Sequence, residues 1–191
     1  YKDVNGDGVI NYMDERPIGY RSDSTPTLNF GINLSASWKG FDLAMDWTGS
    51  GMTSWQQQYE TARPFQNDGN SPEEVFKDAW HLADIWDADS QLIPGKYPLI
   101  RLNNEETSAY DKSTFWLHNV KYIKLRNLEF GYTLPKRIVA KAGISNLRLY
   151  VSGTNLFSIS NIPFMDPECI DSNGLDYPTM RVVNLGINLK F

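Results

Sequence analysis

The chain has 191 residues, a formal net charge of −5, 13% aromatic residues and one cysteine. That length allows one sizeable domain, and the acidic balance without a Lys/Arg cluster speaks against nucleic acid as a partner. The lone Cys169 excludes an internal disulfide, and no apolar run is long enough for a transmembrane helix, which leaves a β-barrel open.

The chain opens on Tyr1-Lys2-Asp3, with no initiator Met and no apolar leader, and is expected to be a piece of a larger protein. Residues 1–26 read as a loop. Within it Asp3, Asn5, Asp7, Val9, Asn11 and Asp14 stand at the ligand positions of a calcium-binding loop, with Gly8 at the sharp turn. Side chains supply hard oxygens at five of these positions and Val9 offers its carbonyl. Asp14 closes the loop with a shorter arm than the usual Glu, and the flanks do not read as paired helices. One structural ion is expected; the other reading is an Asn/Gly turn without metal.

Residues 27–48 read as a hairpin. Leu28, Phe30, Ile32, Leu34, Ala36 and Trp38 share one parity, against Asn29, Gly31, Asn33, Ser35 and Ser37 on the other. Lys39-Gly40 is a tight turn, with Gly free to take positive φ. Phe41, Leu43, Met45 and Trp47 then repeat the pattern against Asp42, Ala44, Asp46 and Thr48.

Residues 49–115 form a long connection with its own fold. Ser71-Pro72-Glu73-Glu74 reads as a helix N-cap, Pro at the first turn and a capping-box Glu, predicting a short helix near 72–84. Val75, Phe76, Ala79, Trp80 and Ala83 make its apolar stripe, and Trp55, Tyr59, Phe65, Trp86, Tyr97 and Tyr110 add rings around it. A small packed subdomain accounts for these rings; stacking on a sugar or a partner is the sharper reading. His81 and His118 have no metal-ligand spacing to another His or Cys and read as structural residues.

Residues 116–191 hold three more strands. From Trp116 to Leu134 the parity changes, with Ile123 and Leu125 on one and Leu128, Phe130 and Tyr132 on the other, so a bulge is expected near Arg126-Asn127. Leu147, Leu149, Val151 and Gly153 form the next strand. The last nine residues alternate without error, placing Val183, Leu185, Ile187, Leu189 and Phe191 on one face.

Across the first, second and last strands every position of one parity is apolar. In a membrane barrel such a parity faces lipid, while polar residues face the lumen. Leu28, Phe30, Ile32, Leu34, Trp38, Phe41, Leu43, Met45, Trp47, Val183, Leu185, Ile187 and Leu189 are thus expected to face lipid. The connections alternate short and long, as periplasmic turns and extracellular loops do. That map puts Trp38, Phe41, Tyr132 and Phe191 in a periplasmic aromatic girdle and Trp47 toward the outer one. The fold class is all-β: five or so antiparallel strands at the C-terminal end of a large transmembrane barrel, with a long, partly helical extracellular loop. Five strands cannot close a barrel, so others are expected upstream or in another chain. The alternative is a soluble, calcium-stabilised β-sandwich, a carbohydrate-binding module with its apolar faces packed in a dry core. No phosphate loop, nucleotide fingerprint or nucleophile elbow is present, so an enzyme is not expected.

Several strings together resemble the C-terminal region of SusC/RagA-type TonB-dependent transporters. They are Tyr1-Lys2-Asp3-Val4-Asn5-Gly6-Asp7-Gly8, Tyr122-Ile123-Lys124-Leu125-Arg126-Asn127-Leu128, Phe130-Gly131-Tyr132-Thr133-Leu134-Pro135, Gly153-Thr154-Asn155-Leu156-Phe157, Asp166-Pro167-Glu168 and the closing Leu185 to Phe191. The resemblance implies a plugged barrel in the outer membrane of a Gram-negative, Bacteroidota-like bacterium. It implies import of oligosaccharides or peptides with a SusD-like surface lipoprotein, energised by the TonB complex through parts this chain does not contain. It also implies that Phe191 ends the assembly signal read by the barrel-assembly machinery.

Overall fold

The computed structural model describes residues 1–20, 25–101, 107–162, 164–169, 174 and 176–191. Parts of the expected loops, 21–24, 102–106, 163, 170–173 and 175, lie outside the described residues. The chain forms two compact units. One holds Tyr1–Ser24, Thr53–Asn119 and Cys169–Asp176; the other holds Thr25–Met52, Val120–Glu168 and Tyr177–Phe191.

The second unit holds most of a five-stranded sheet. Its strands are β1 (Leu28–Trp38), β2 (Phe41–Gln56), β5 (Leu117–Thr133), β6 (Asn146–Ser160) and β7 (Val182–Lys190), in the spatial order β1-β2-β5-β6-β7. Two-residue strands β3 (His81–Leu82) and β4 (Leu92–Ile93) lie in sequence between β2 and β5 and form a separate antiparallel pair. Among the described residues there is thus no second sheet of a size to complete a sandwich.

β1 and β2 pair from Leu28↔Gly51 to Trp38↔Phe41. Lys39 at φ 48° and Gly40 at φ 90° make the turn left-handed at both central positions. Such a turn matches the twist of the flanking strands. A Cβ on Gly40 would stand 2.8 Å from the Thr133 carbonyl oxygen, so glycine is required by space as well as by φ.

The second strand runs to Gln56, eight residues past the boundary at 48 expected from the alternation. The reason is burial. Gly49, Ser50, Gly51, Thr53, Ser54 and Trp55 are all buried, and a strand covered on both faces loses the period-two signal.

The sheet is irregular where the bulge was expected, but the extra residue lies in β6: Leu125 is opposite Phe157 and Asn127 opposite Thr154, so Asn155 and Leu156 together face Arg126. Asn155 takes φ 53° there and accepts a hydrogen bond from Arg126 Nη1 at 2.9 Å. Arg126 and Asn127 consequently reach the same face, Arg126 Nη2 bonding Thr48 Oγ1 and Asn127 Nδ2 bonding Asp46 Oδ2 on β2. This is how Ile123 and Leu125 on one parity join Leu128 and Phe130 on the other.

The first unit contains the long connection. Its core is Ala62, Val75, Ala79, Tyr97, Tyr110 and Trp116. Trp116 stacks on Tyr97 and Tyr110 at 5.8 and 5.7 Å and donates its indole N–H to the Ala109 carbonyl at 2.8 Å. Helix α1 is only Glu73–Lys77, shorter than the span of 72–84 expected. Its N-cap is Pro72, at an extended ψ of 136°, and no side chain caps it. Ser71 Oγ donates instead to the Pro72 carbonyl, so the expected capping box does not form. The helix stops because the chain beyond it pairs with another segment: the Trp80 amide bonds the Tyr97 carbonyl, and the Tyr97 amide bonds Asp78, both at 2.9 Å. Of the expected stripe only Val75 and Ala79 are buried, and His81 stands in β3 rather than in a helix. Of the rings, Trp55, Tyr97 and Tyr110 are buried, whereas Tyr59, Phe65 and Trp86 are exposed. His118 stacks on Trp55 at 5.3 Å, with Nε2 2.9 Å from Gln57 Oε1, as fits a structural residue.

Between β5 and β6, helix α2 (Lys136–Val139) follows Pro135. At the far end the Ser145 amide and hydroxyl both donate to the Lys190 carbonyl, at 2.7 and 2.8 Å, fixing the chain next to Phe191.

Candidate membrane-facing surface and inner-face charge cluster

Cross-strand partners in an antiparallel sheet point to the same side. Ile32↔Trp47, Leu34↔Met45, Ala36↔Leu43 and Trp38↔Phe41 therefore put the expected apolar positions of β1 and β2 on one face. On β6 and β7, Leu147↔Leu189, Leu149↔Ile187 and Val151↔Leu185 do the same. Rings knit the face across strands: Phe41 lies 4.4 Å from Tyr132 and 5.9 Å from Phe130, and Trp47 meets Phe157 edge-on at 5.3 Å. Leu28, Phe30, Ile32, Leu34, Trp38, Phe41, Val183, Leu185, Ile187, Leu189 and Phe191 are exposed, and Leu43, Met45 and Trp47 are half-buried. Leu185 and Phe191 keep 87% and 85% of their surface open.

The opposite face carries the charges. Arg148 on β6 holds Asp42 on β2 through Nε at 3.0 Å and through Nη2, which also bonds Glu129 on β5 at 2.6 Å. Its guanidinium lies 5.0 Å over the Tyr150 ring. Two glycines make room. A Cβ on Gly131 would fall within 2.7 Å of the Arg148 guanidinium, and one on Gly186 within 2.5 Å of the Tyr150 ring.

A second cluster on this face joins β5 to the loop after β6. Lys124 is 3% exposed, and its ammonium bonds Glu168 at 2.7 Å, Thr179 Oγ1 at 2.8 Å and both Asp166 oxygens at 3.1 and 3.2 Å. Arg126 grips both oxygens of Glu168, and the Tyr122 hydroxyl donates to it at 3.2 Å. Asp166 also accepts from the Glu168 amide, the Thr179 amide and the Thr179 hydroxyl. Burial would raise the Asp166 carboxyl, but the bonds from Thr179, the Glu168 amide and Lys124 outweigh it and hold the group at about 2. Burial likewise opposes ionisation of Glu168, and Arg126 and Lys124 overcome it, leaving its pKa lowered. A depressed carboxyl stabilises the folded loop fully above the ordinary carboxylate range, and that contribution is lost as pH falls through about 2. Sequence reading did not find this cluster. Its signal was two cations, Lys124 and Arg126, spaced by two within an apolar strand, matched by two carboxylates with the same spacing in Asp166-Pro167-Glu168.

The loop from Asp3 to Asp14 curls tightly. Gly6 and Gly8 take φ 81° and 83°. Asp3 accepts from the Gly6 and Gly8 amides at 2.6 and 2.8 Å, Asp7 from Val9 at 2.8 Å, and Asn11 from Met13 at 2.8 Å. Asp14 accepts from the amides of Val4, Asn5 and Asn11, and chiefly the Asn11 and Val4 amides hold its pKa below the usual value. The donor set and the two left-handed glycines suit a hard divalent cation. Among the described residues, however, no three Asp, Glu, His or Cys side chains are gathered closely enough to share one.

No family model matches the chain. Over its whole length it is 29% identical to TonB-dependent receptor P3 and 26% identical to TonB-dependent receptor P26, both of Formosa agariphila. It spans 19% of the length of each, so it corresponds to about a fifth of these relatives. Among solved structures it is similar to the RagAB peptide importer, with a TM-score of 0.63 and 24% identity to the closed-closed state. The open-open state gives 0.61 and 23%, and in both cases 89% of this chain matches 18% of the other. The resemblance to SusC/RagA-type TonB-dependent transporters holds. The five-stranded antiparallel sheet is thus a section of a RagA-like barrel wall, and the relatives carry the names of receptors rather than enzymes.

A lipid-facing role for the apolar parity has a measurable consequence. Arg at Leu34, Leu43, Leu185 or Ile187 is expected to cost about 2–4 kcal/mol in the full-length barrel, and Arg at Asn33 or Asn188 clearly less. The amount of heat-resistant folded barrel recovered from membranes measures this, and equal losses on both parities would reject the assignment.

Proposed function

We propose that this chain forms the C-terminal section of the wall of a TonB-dependent transporter in the outer membrane of a Gram-negative, Bacteroidota-like bacterium. The transporter imports oligosaccharides or peptides together with a SusD-like surface lipoprotein, and draws energy from the TonB complex through parts of the protein outside this chain. The observation that carries this reading is the polarity of the sheet. One side is apolar and open to the surroundings, with large exposed side chains, while its ion pairs lie on the other side, the reverse of a soluble sheet.

The proposed division of labour follows from the two faces. The apolar side meets lipid, with Trp38, Phe41, Tyr132 and Phe191 at one interface and Trp47 toward the other. The polar side lines the lumen, where Arg148, Asp42 and Glu129 bind one another rather than a solute. The similarity to RagAB, a peptide importer, supports a solute too large for a porin. Deleting the full-length gene is expected to abolish uptake of one oligosaccharide or peptide class, with restoration by a plasmid copy only in cells with functional TonB. Unchanged uptake of both classes, or TonB-independent restoration, would overturn the reading.

The calcium loop is part of the proposal. Asp3, Asn5, Asp7, Asn11 and Asp14 would hold one ion with the Val9 carbonyl, and the ion would brace the loop without entering transport. Replacing Asp3 and Asp7 together with Asn is expected to weaken calcium binding by the purified full-length transporter by at least about tenfold, measured by calorimetry. Unaltered affinity would place the ion elsewhere.

Phe191 is proposed to end the signal read by the barrel-assembly machinery, beyond its place in the aromatic girdle. Its deletion is expected to lower outer-membrane levels more than Phe41→Ala does at matched expression. Indistinguishable levels would reduce Phe191 to one more interfacial ring.

A further inference from the structure

Lys124 is a long cationic side chain buried in the middle of a barrel strand, and every hydrogen bond recorded for its ammonium goes to one loop. Burying a charge is costly unless it is fully paired, so its placement calls for a reason beyond stability. The loop supplies the reason. Asp166 binds the Thr179 amide and hydroxyl, so residues thirteen apart in sequence are drawn together at a neck. The same carboxylate takes the Lys124 ammonium, and Glu168 beside it is gripped by Arg126. The two cations and two carboxylates balance, leaving the cluster neutral.

We propose that Lys124 and Arg126 form a latch that fastens the neck made by Asp166, Glu168 and Thr179 to the lumenal side of β5, with Lys124 as the positioning residue for all three. The inference rests on the reading above only in taking the polar face as the lumen. The neck also lines a recess of about 490 Å³ with Lys124, Phe157, Phe164, Met165, Thr179 and Arg181. A displaced neck would therefore reshape that recess as well as the loop. The polar groups that meet there are Lys124, Arg126 and Tyr122 from β5, Thr48 and Ser50 from β2, Asp166, Glu168 and Thr179 from the loop, and Asn155 from β6. With both carboxyls held low, Asp166 and Glu168 stay ionised through neutral and mildly acidic pH.

The test uses the full-length transporter in outer membranes and two separate readouts: heat-resistant folded barrel, and the rate at which added protease cuts within residues 167–178. Lys124→Met is expected to leave folded barrel within about twofold of the parent while cutting becomes at least about tenfold faster. Lys124→Arg should return cutting to within about threefold, because the charge and its donors survive. The charge-balanced pair Lys124→Met, Asp166→Asn should be cut more slowly than Lys124→Met alone, since Glu168 keeps Arg126 and no carboxylate is left without a cation. If Lys124→Met fails to assemble, Glu168→Gln takes its place with the same expectation of faster cutting. Folded barrels of either variant cut at the parental rate would overturn the latch, as would an Arg variant cut as fast as the Met one. Neither readout requires transport, so a failure of the transport reading is distinguishable from a failure of the latch.

Discussion

A sheet in contact with hydrocarbon must satisfy every backbone hydrogen bond by strand pairing and keep charge off its outer side. On the proposed reading that constraint orders the rest of this molecule. It accounts for the unbroken apolar parity of β1, of residues 41–47 in β2 and of β7. Asn33 faces Asp46 across the strands, and glycines occupy positions where Arg148 and Tyr150 lie flat on the sheet. Charges confined to one face then neutralise one another at close range. Arg148 with Asp42 and Glu129, and Lys124 and Arg126 with Asp166 and Glu168, are the two results.

The bulge opposite Arg126 serves the same constraint. A strand that kept strict alternation through Leu125 and Leu128 would turn one of them onto the polar face. By letting Arg126 and Asn127 reach the same side, the shift keeps both leucines with the outer apolar set and doubles the local density of polar groups inside. Arg126 then contacts β2, β6 and the loop after β6 at once, and Asn127 ties to Asp46. A local irregularity in one strand thus joins three strands and a loop.

What could be read from the sequence divides along the same line. The hairpin 27–48 and the last strand were legible because a sheet that is apolar on one side only imposes period two. Legibility failed where burial is two-sided. Residues 49–56 continue β2 yet show no alternation, and the boundary placed at 48 follows from that loss of signal. The helix near 72–84 was overextended for a different reason. Val75, Phe76, Ala79 and Trp80 keep helical spacing, but the hydrogen bonds from Trp80 and Tyr97 take the backbone away after Lys77. Such long-range pairing leaves no local mark. The cluster around Lys124 was hidden because its partners lie more than forty residues away, and only its matched two-residue spacing hinted at a meeting.

The pinch made by Asp166 has a consequence for how such a protein diversifies. When the two ends of a loop are clamped by one carboxylate, the chain between them can lengthen or change with little effect on where it starts and stops. The entropy of closing a flexible loop grows only with the logarithm of its length, roughly 0.6 kcal/mol for each doubling. Insertions beyond the clamp are therefore cheap, whereas a change at Asp166, Thr179 or Lys124 shifts the whole stretch. The segment between Asp166 and Thr179 can vary in sequence while the strands that carry it stay the same.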